Sequence, residues 1–341
     1  MQQIIITDSS LRDGNHSVKH TISLDSIKKY CQFADKANIP IVEVGHGNGL
    51  AASSLLIGKS PSTDKEILTT ARKNLKHSKL GIHTIPGLST IDDAKAAIDY
   101  GVDVFRVATH CTEATLSKSH IEYLAKIGKE VYGVLMMSAL ITADELVEQA
   151  KIMESYGAQA IIIMDSTGTY LPNDVEERIF KLKAYTNIKV GFHAHNNLGC
   201  AVANSLVAVN AGATMIDACI RGFGAGAGNA PLELILPVFE KNGYETGIDF
   251  KETIKEAEKE EALRVIMREL EVDREQAIEV YNEISLAETK EVVDGLVKDG
   301  LVECIGHNEE GEPLFGLTEL GKQAQKQILE EQNKKNKKKK K

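Results

Sequence analysis

No apolar run in the 341 residues approaches the roughly 18 residues that a membrane-spanning helix requires. The start of the chain also lacks the basic region and cleavage site of a secretory signal peptide, because a strand-like run already begins at Ile4. These two absences argue against a membrane span and against secretion.

Paired cysteines are absent as well. The five cysteines are scattered, odd in number and without CxxC spacing: Cys31, Cys111, Cys200, Cys219 and Cys304. This pattern argues against a disulfide framework or a zinc ribbon, and it fits reduced thiols. We therefore expect a cytoplasmic protein.

Acidic residues outnumber basic residues in the body of the chain. The formal net charge is −9, although seven of the last eight residues are lysines, so the body of the protein is more acidic still. An acidic body makes nucleic acid an improbable partner. The low-complexity tail, residues 333–341, is expected to be disordered.

Short apolar runs alternate with amphipathic helical patterns through the first 248 residues. Eight runs read as strands: Gln3–Thr7, Pro40–Val44, Lys79–Ile85, Val102–Ala108, Val131–Met137, Ala158–Met164, Ile188–Phe192 and Thr214–Ile220. They are apolar on both faces, as buried parallel strands are. Residues 1–248 are predicted to form a (β/α)8 TIM barrel of the α/β class, with an open doubly wound sheet as the alternative. Polar residues that follow the strands favour the barrel, because its strand ends converge on one mouth.

The character of the sequence changes near Lys251. A charged helical pattern, Lys251–Glu271, precedes two further helical segments at Asp273–Glu283 and Ser285–Asp299. A hairpin pattern with Gly311 in its turn then leads to a last helix, Thr318–Gln332. Residues 249–332 are thus predicted to be a small, mainly helical domain that resembles a winged helix.

Two histidines alternate at the end of the seventh apolar run. His193 and His195 would lie on one face of a strand, since side chains there have a period of two. Asp13, just after the first run, would add one oxygen to these two nitrogens. Such a set suits a divalent metal with positions left open for a substrate. The alternative is that the histidines are structural and that Asp13 belongs to an Asp-Gly turn.

Two neighbours of Asp13 carry complementary chemistry. Arg12 offers planar, bidentate donors to a carboxylate or enolate oxygen. His16 titrates near neutrality and could take a proton from a hydroxyl, unless it is simply a histidine of a surface loop.

Three other segments contain groups with candidate chemical roles. Ser166, in Asp165–Gly168, could donate to a substrate carboxylate or could belong to a turn that caps the next helix. The loop Gly222–Asn229 superficially resembles a dinucleotide fingerprint, but it follows the last strand rather than the first. A glycine loop that closes over the barrel mouth is therefore favoured. Cys111 has no paired base and is expected to be a packed thiol.

Seven motifs together resemble a known family. They are TDSSLRDGNH (7–16), EVGHGNGLAASS (43–54), VATHCTEA (107–114), LMMS (135–138), DSTG (165–168), GFHAHNNLG (191–199) and GAGAGNAPLE (224–233). In this order they are similar to the 4-hydroxy-2-oxovalerate aldolases, class II pyruvate aldolases within a superfamily of metal-dependent barrel lyases. That superfamily also includes 3-hydroxy-3-methylglutaryl-CoA lyase and isopropylmalate synthase. The resemblance covers about residues 1–245.

The resemblance implies a lyase that splits a 4-hydroxy-2-oxo acid into pyruvate and an aldehyde. It implies that Mn²⁺, or another divalent ion such as Mg²⁺ or Co²⁺, is held by Asp13, His193 and His195. Arg12 would stabilise the pyruvate enolate and His16 would deprotonate the 4-hydroxyl group. Ser166 would contact the pyruvate carboxylate. The residues in contact with substrate would then be Arg12, Asp13, Ser166 and His193.

The chain departs from the family pattern in places. Ala139 stands where a histidine is usual, and Asn48 where an aspartate is usual. The family's C-terminal extension, which docks an acylating aldehyde dehydrogenase, is replaced by the winged-helix-like segment. A homo-oligomer and that dehydrogenase are the protein partners the resemblance implies. The sequence leaves two alternative functions open: a Claisen-type acyl-CoA lyase or condensing enzyme, and a ligand-sensing regulator built on a barrel.

Overall fold

The structure is a computed structural model that describes residues 2–270, 277, 297–298, 302–307 and 313–318. Contacts between Cα atoms divide the chain into two units, Met1–Glu260 and Glu261–Lys341. Among the described helices, none is both long enough and apolar enough to span a bilayer.

Eight parallel strands of the first unit close into a barrel. In chain order the strands of this unit are β1 (Gln2–Gln3), β2 (Ile5–Asp8), β3 (Ile41–Glu43), β4 (Lys79–Thr84), β5 (Val104–His110), β6 (Glu130–Met136), β7 (Ala160–Asp165), β8 (Lys189–Ala194), β9 (Met215–Ala218) and β10 (Tyr244–Glu245). Strands β2 to β9 pair in sequence order, and β9 closes the barrel by pairing with β2. The predicted (β/α)8 barrel is confirmed. One detail differs: Gln3 lies outside the barrel, because β1 pairs with β10 in a separate two-stranded sheet.

Helices connect the strands. They are α1 (Gly14–Ser17), α2 (Leu24–Lys36), α3 (Asp64–Asn74), α4 (Ile91–Asp99), α5 (Lys118–Lys126), α6 (Ala143–Ser155), α7 (Pro172–Tyr185), α8 (Ala201–Asn210), α9 (Leu232–Lys241) and α10 (Phe250–Leu270). Threonine capping boxes begin α3, α4 and α6, where the threonine hydroxyl accepts the third amide of the helix. Helix α8 begins at Ala201, whose amide donates to Oδ1 of Asn196 at 3.1 Å.

The apolar interior has two layers. One large cluster lies between the strands and the surrounding helices, with fully buried members such as Ile67, Leu124 and Phe239. A smaller cluster fills the barrel lumen and includes Ile41, Val104, Met215 and other residues from alternate strand positions. Both faces of each strand are therefore covered, which explains the continuous apolar runs in the sequence.

The parallel register brings every strand's carboxyl end to one mouth. Arg12 and Asp13 follow β2, Ser166 follows β7, and His195 follows β8. The glycine loop follows β9 and continues into the isolated bridge between Asn229 and His195. The predicted site residues thus share one end of the barrel, where TIM-barrel enzymes carry their chemistry.

The second unit contains one described hairpin. Strands β11 (Val302–His307) and β12 (Pro313–Leu317) pair antiparallel, with an irregularity between Cys304 and Gly306. This confirms the hairpin predicted from the sequence. The helices predicted at 273–283, 285–299 and 318–332 lie almost entirely outside the described residues, as does the lysine tail. The winged-helix assignment and the domain limits of 249–332 stay predictions.

Candidate metal centre and its surroundings

Three side chains converge at the mouth of the barrel. The ligand atoms of Asp13, His193 and His195 all lie within 4.8 Å of one another, and all three residues are buried. His193 is on β8 and His195 follows directly after it, so the two-residue spacing presents both imidazoles to the same side. The structure therefore brings together the three groups that the sequence singled out.

Hydrogen bonds fix the Asp13 carboxylate on both oxygens. Its Oδ1 accepts Nη1 of Arg12 at 2.5 Å, and its Oδ2 accepts Nδ2 of Asn229 at 2.6 Å and the amide of Ala225 at 3.2 Å. Burial by itself would raise the pKa of Asp13, but the charge of Arg12 and the neighbouring His193 outweigh it and hold the pKa well below its usual range. Asp13 is thus an ionised, oriented oxygen ligand.

Neighbouring groups orient the imidazole of His193 and favour the neutral form of His195. Nδ1 of His193 donates to Oδ2 of Asp217 at 2.8 Å, which leaves the lone pair on Nε2. Burial, followed by the nearby His193, lowers the pKa of His195 to about 4. The imidazole of His195 can therefore offer a nitrogen lone pair at neutral pH.

The surroundings fit a divalent ion. Two imidazole nitrogens and one carboxylate oxygen form the donor set of metal sites that keep open positions. Nearby, Oδ1 of Asn229 is buried without a hydrogen-bond partner in the described part of the chain. A Cβ atom at position 224 would lie 2.7 Å from Oδ2 of Asp13, so glycine at this position keeps the space beside the carboxylate open.

One nitrogen of the Arg12 guanidinium has no hydrogen-bond partner among the described residues. Its Nε donates to Oε2 of Glu43 at 2.8 Å, and Nη1 donates to Asp13. The nitrogen without a partner is Nη2, which is buried. Burial would lower the pKa of Arg12, but Glu43 and Asp13 raise it above its usual value. A permanent cation with one unpaired donor therefore lies beside the candidate metal centre.

Three histidines form a second cluster on the same side of the barrel. His16 on α1 approaches the ring of His20 edge-on at 5.1 Å between centroids, and His20 stacks on His46 at 3.7 Å. A Cβ atom at Gly47 would lie 2.7 Å from both His16 and His20, so glycine makes room for them. Burial lowers the pKa of His16, and that favours a neutral imidazole able to accept a proton.

Ser166 lies at the end of β7. Its Oγ accepts the amide of Met137 at 2.9 Å, and within the described residues its hydroxyl proton has no acceptor. Met137 itself has a left-handed backbone, with φ of 56°, which few residues other than glycine adopt. The hydroxyl of Ser166 is thus held by an irregular turn after β6 while its proton stays available.

The glycine loop closes onto Asp13, as predicted. The amide of Ala225 donates to the carboxylate of Asp13, and the amide of Asn196 donates to the carbonyl of Gly228 at 2.8 Å. Ser17 donates to the carbonyl of Gly224 at 2.5 Å, which ties the loop to the end of α1. In this structure the loop forms hydrogen bonds with the Asp13 carboxylate and with Asn196, which lies just after β8.

Comparisons with known proteins agree with this geometry. The HMGL-like family model matches residues 3–259 and so includes every candidate site residue. A 4-hydroxy-2-oxovalerate aldolase of Spirochaeta aurantia is 55% identical over 276 residues, which cover 81% of this chain and 80% of that protein. The enzyme of that name from Pectobacterium atrosepticum is 53% identical and covers 75% of each chain. The chain belongs to the HMGL-like family, among the 4-hydroxy-2-oxovalerate aldolases. It is therefore a carbon–carbon lyase.

Solved structures share the fold of this aldolase family member. The carboxyl transferase domain of Rhizobium etli pyruvate carboxylase, solved with pyruvate, superposes with a TM-score of 0.67 at 20% identity. The match covers 77% of this chain and 48% of that chain. At this identity the likeness supports the barrel alone.

Sequence reasoning missed three charged residues inside the barrel lumen. Glu43, Arg106 and Asp217 lie within three of the predicted apolar runs, and the sequence analysis gave none of them a role. All three are buried, with exposures of 0%, 0% and 2%. A single charged residue in an otherwise apolar strand was the available signal. Such residues are rarely buried without a partner, so each of these charges indicated a buried ion pair.

Proposed function

We propose that this aldolase cleaves a 4-hydroxy-2-oxo acid to pyruvate and an aldehyde, with a divalent ion, Mn²⁺ or a similar metal, held by Asp13, His193 and His195. The observation that carries the proposal is the unpartnered Nη2 of Arg12 next to a cluster of two imidazoles and one carboxylate. When bound, the divalent ion supplies Lewis-acid stabilisation to the oxygens of the 2-oxo acid.

Arg12 stabilises the negative charge that develops on the substrate. Cleavage of the C3–C4 bond leaves its electron pair as the enolate of pyruvate, so a cationic donor must already be in position. Nε and Nη1 of Arg12 are engaged by Glu43 and Asp13, which leaves Nη2 to donate to the enolate oxygen. A preorganised donor in a buried site stabilises such charge more strongly than water does.

His16 starts the cleavage by accepting the proton of the 4-hydroxyl group. Its burial favours the neutral imidazole, and its ring is held between Gly47 and His20. The oxygen electrons then form the carbonyl of the aldehyde as the C3–C4 bond breaks. A proton from solvent adds to C3 of the enolate and completes pyruvate, and His16 returns its proton to solvent.

Ser166 orients the substrate. Its Oγ accepts the amide of Met137, so its hydroxyl proton is left to donate to the pyruvate carboxylate. The homo-oligomer and the acylating aldehyde dehydrogenase partner stay predictions from the resemblance.

The test measures pyruvate release from 4-hydroxy-2-oxo acids of graded chain length, with and without Mn²⁺. A second assay follows exchange of the methyl protons of pyruvate with deuterium, which needs the enolate but no hydroxyl proton transfer. His16→Ala should lower cleavage by about 10²–10⁴-fold, the usual loss of a general base, while exchange persists. Arg12→Ala should abolish both activities.

His77→Ala is the matched control, because His77 is exposed in the loop before β4, at the opposite end of the barrel from the mouth. It should leave both activities unchanged. Equal loss of cleavage and exchange in His16→Ala would contradict the assigned roles. Cleavage that requires an acyl-CoA substrate would favour a Claisen-type lyase instead.

A further inference from the structure

Three buried charges join opposite sides of the barrel lumen. Arg106 on β5 donates through Nη2 to Oδ2 of Asp217 on β9, and its Nη1 lies 3.4 Å from Oε2 of Glu43 on β3. Each charge lies two positions beyond an apolar residue of the lumen cluster on its own strand, so all three face inward. We call Glu43, Arg106 and Asp217 the lumen bridge.

Each end of the lumen bridge contacts a residue of the candidate site. Asp217 accepts Nδ1 of His193 at 2.8 Å, and Glu43 accepts Nε of Arg12 at 2.8 Å. Arg12 in turn donates to Asp13 at 2.5 Å. A continuous line of ionic hydrogen bonds and ion pairs therefore runs from one proposed metal ligand to another through the floor of the site.

We propose that Arg106 is a positioning residue that couples two separate devices, the orientation of the metal ligand His193 through Asp217 and the aim of the Arg12 guanidinium through Glu43. The inference rests on the proposed function, and it assigns to the lumen bridge a task beyond filling the barrel.

The two ends of the lumen bridge act on different atoms, and we call them the Asp217 arm and the Glu43 arm. The Asp217 arm fixes which nitrogen of His193 carries the proton, so Nε2 is free to bind a metal. The Glu43 arm holds Nε of the planar guanidinium of Arg12, and Asp13 holds Nη1, so the direction of Nη2 is determined. One arm thus governs metal affinity and the other governs stabilisation of the enolate.

Arg106 is needed because the two carboxylates occupy one low-dielectric lumen. Without a cation between them, Glu43 and Asp217 would be buried charges with too few partners, and each would turn toward other donors. The planar fork of Arg106 reaches both carboxylates at once, whereas a lysine ammonium offers a single point of charge. Their positions are therefore linked through one side chain.

The test compares Asp217→Asn, Glu43→Gln and Arg106→Met in metal-free and Mn²⁺-loaded protein. Mn²⁺ affinity is measured from the electron paramagnetic resonance signal of free Mn²⁺, and enolate chemistry from the methyl exchange of pyruvate at saturating Mn²⁺. Asp217→Asn should weaken Mn²⁺ binding by about 10–100-fold, as loss of such ligand partners does, with exchange recovered at saturation. Glu43→Gln should leave Mn²⁺ affinity nearly unchanged but lower kcat for exchange by about 10²-fold.

Arg106→Met should show both losses, and Arg106→Lys covers the case in which Arg106→Met does not fold. Arg106→Lys should also weaken Mn²⁺ binding and exchange together, because one ammonium cannot hold both carboxylates. Arg72→Met is the control, since it removes an arginine–carboxylate pair with Asp103 that has an Nη1–Oδ2 distance of 2.6 Å, outside the lumen. Its Mn²⁺ affinity and exchange rate should match wild type.

If the lumen bridge only stabilises the fold, a different result is expected. Asp217→Asn and Glu43→Gln would then lose affinity and exchange in parallel, in proportion to their loss of thermal stability, and the proposal would be overturned. If the wild-type protein exchanges no pyruvate protons, the proposed function fails. The positioning role is then still tested in the metal-free protein, by the resonance of the Nδ1 proton of His193. The low-field Nδ1 proton of His193, assigned with His193→Gln, should persist in Glu43→Gln and shift or vanish in Arg106→Met. An unchanged proton in Arg106→Met would refute the coupling.

Discussion

Replacing Gly224 by alanine should damage the candidate metal centre without substituting any of the proposed ligands. A Cβ atom there would lie 2.4 Å from Oδ1 of Asn229 and 2.7 Å from Oδ2 of Asp13. Ordinary carbon–oxygen contacts begin near 3.4 Å, so these oxygens must retreat by roughly 0.7–1 Å. The hydrogen bond from Asn229 to Asp13, now 2.6 Å, would then exceed the normal range.

The expected magnitude follows from these contacts. Loss of the partners that orient a metal ligand typically weakens metal binding by about 10–100-fold. Crowding of a packed site costs about 1–3 kcal/mol of unfolding free energy. The matched control is Gly226→Ala, which has a φ of 62° and no atom closer than 3.5 Å to the added Cβ. Its left-handed backbone costs a comparable ~1–2 kcal/mol, but it leaves Asp13 in place.

The assay measures Mn²⁺ affinity by electron paramagnetic resonance and stability by urea denaturation of the metal-free protein. Both variants should lose similar stability, and only Gly224→Ala should lose Mn²⁺ affinity. If Gly224→Ala binds Mn²⁺ with wild-type affinity, the reasoning is refuted, because the added Cβ atom would then displace the Asp13 carboxylate without any effect on metal binding.

Three further predictions concern stability. Burial would raise the pKa of Glu43, but Arg106 and Arg12 hold it well below its usual range, so its stabilising contribution is present above pH of about 4.3 and declines as pH falls further. The difference in unfolding free energy between wild type and Glu43→Gln should therefore shrink in acid, and a difference that grows in acid would contradict the pairing. Tyr30→Phe removes the donor to Asp8 at 2.6 Å, and urea denaturation should show a loss of about 1–3 kcal/mol with normal Mn²⁺ affinity. Thr142→Ala removes the cap of α6 and should cost about 0.5–2 kcal/mol in thermal unfolding; an unchanged melting temperature would argue against the capping box.

Local patterns predicted the barrel because each strand and helix carries its own signal. Strands β4 and β7 are covered on both faces, so their apolar runs stand out in the sequence. The two-residue spacing of His193 and His195 likewise specifies a shared face without knowledge of the rest of the fold.

The lumen bridge could not be predicted in the same way. Arg106 and Asp217 are 111 residues apart, and nothing near either residue identifies its partner. A lone charge in a strand is equally consistent with an edge or a solvent-facing position until barrel closure determines what lies opposite. The pairing depends on the register of distant strands, which is a property of the closed sheet.

The sequence alone determined the class of the fold, the order of its strands and the set of candidate metal ligands, because these depend on periodicity and on residue chemistry at neighbouring positions. Only the tertiary structure decided how the buried charges compensate one another, why glycine is required at position 224, and which edge of Arg12 is left unpaired. These features arise where segments distant in the chain meet, so the closure of the barrel produces them.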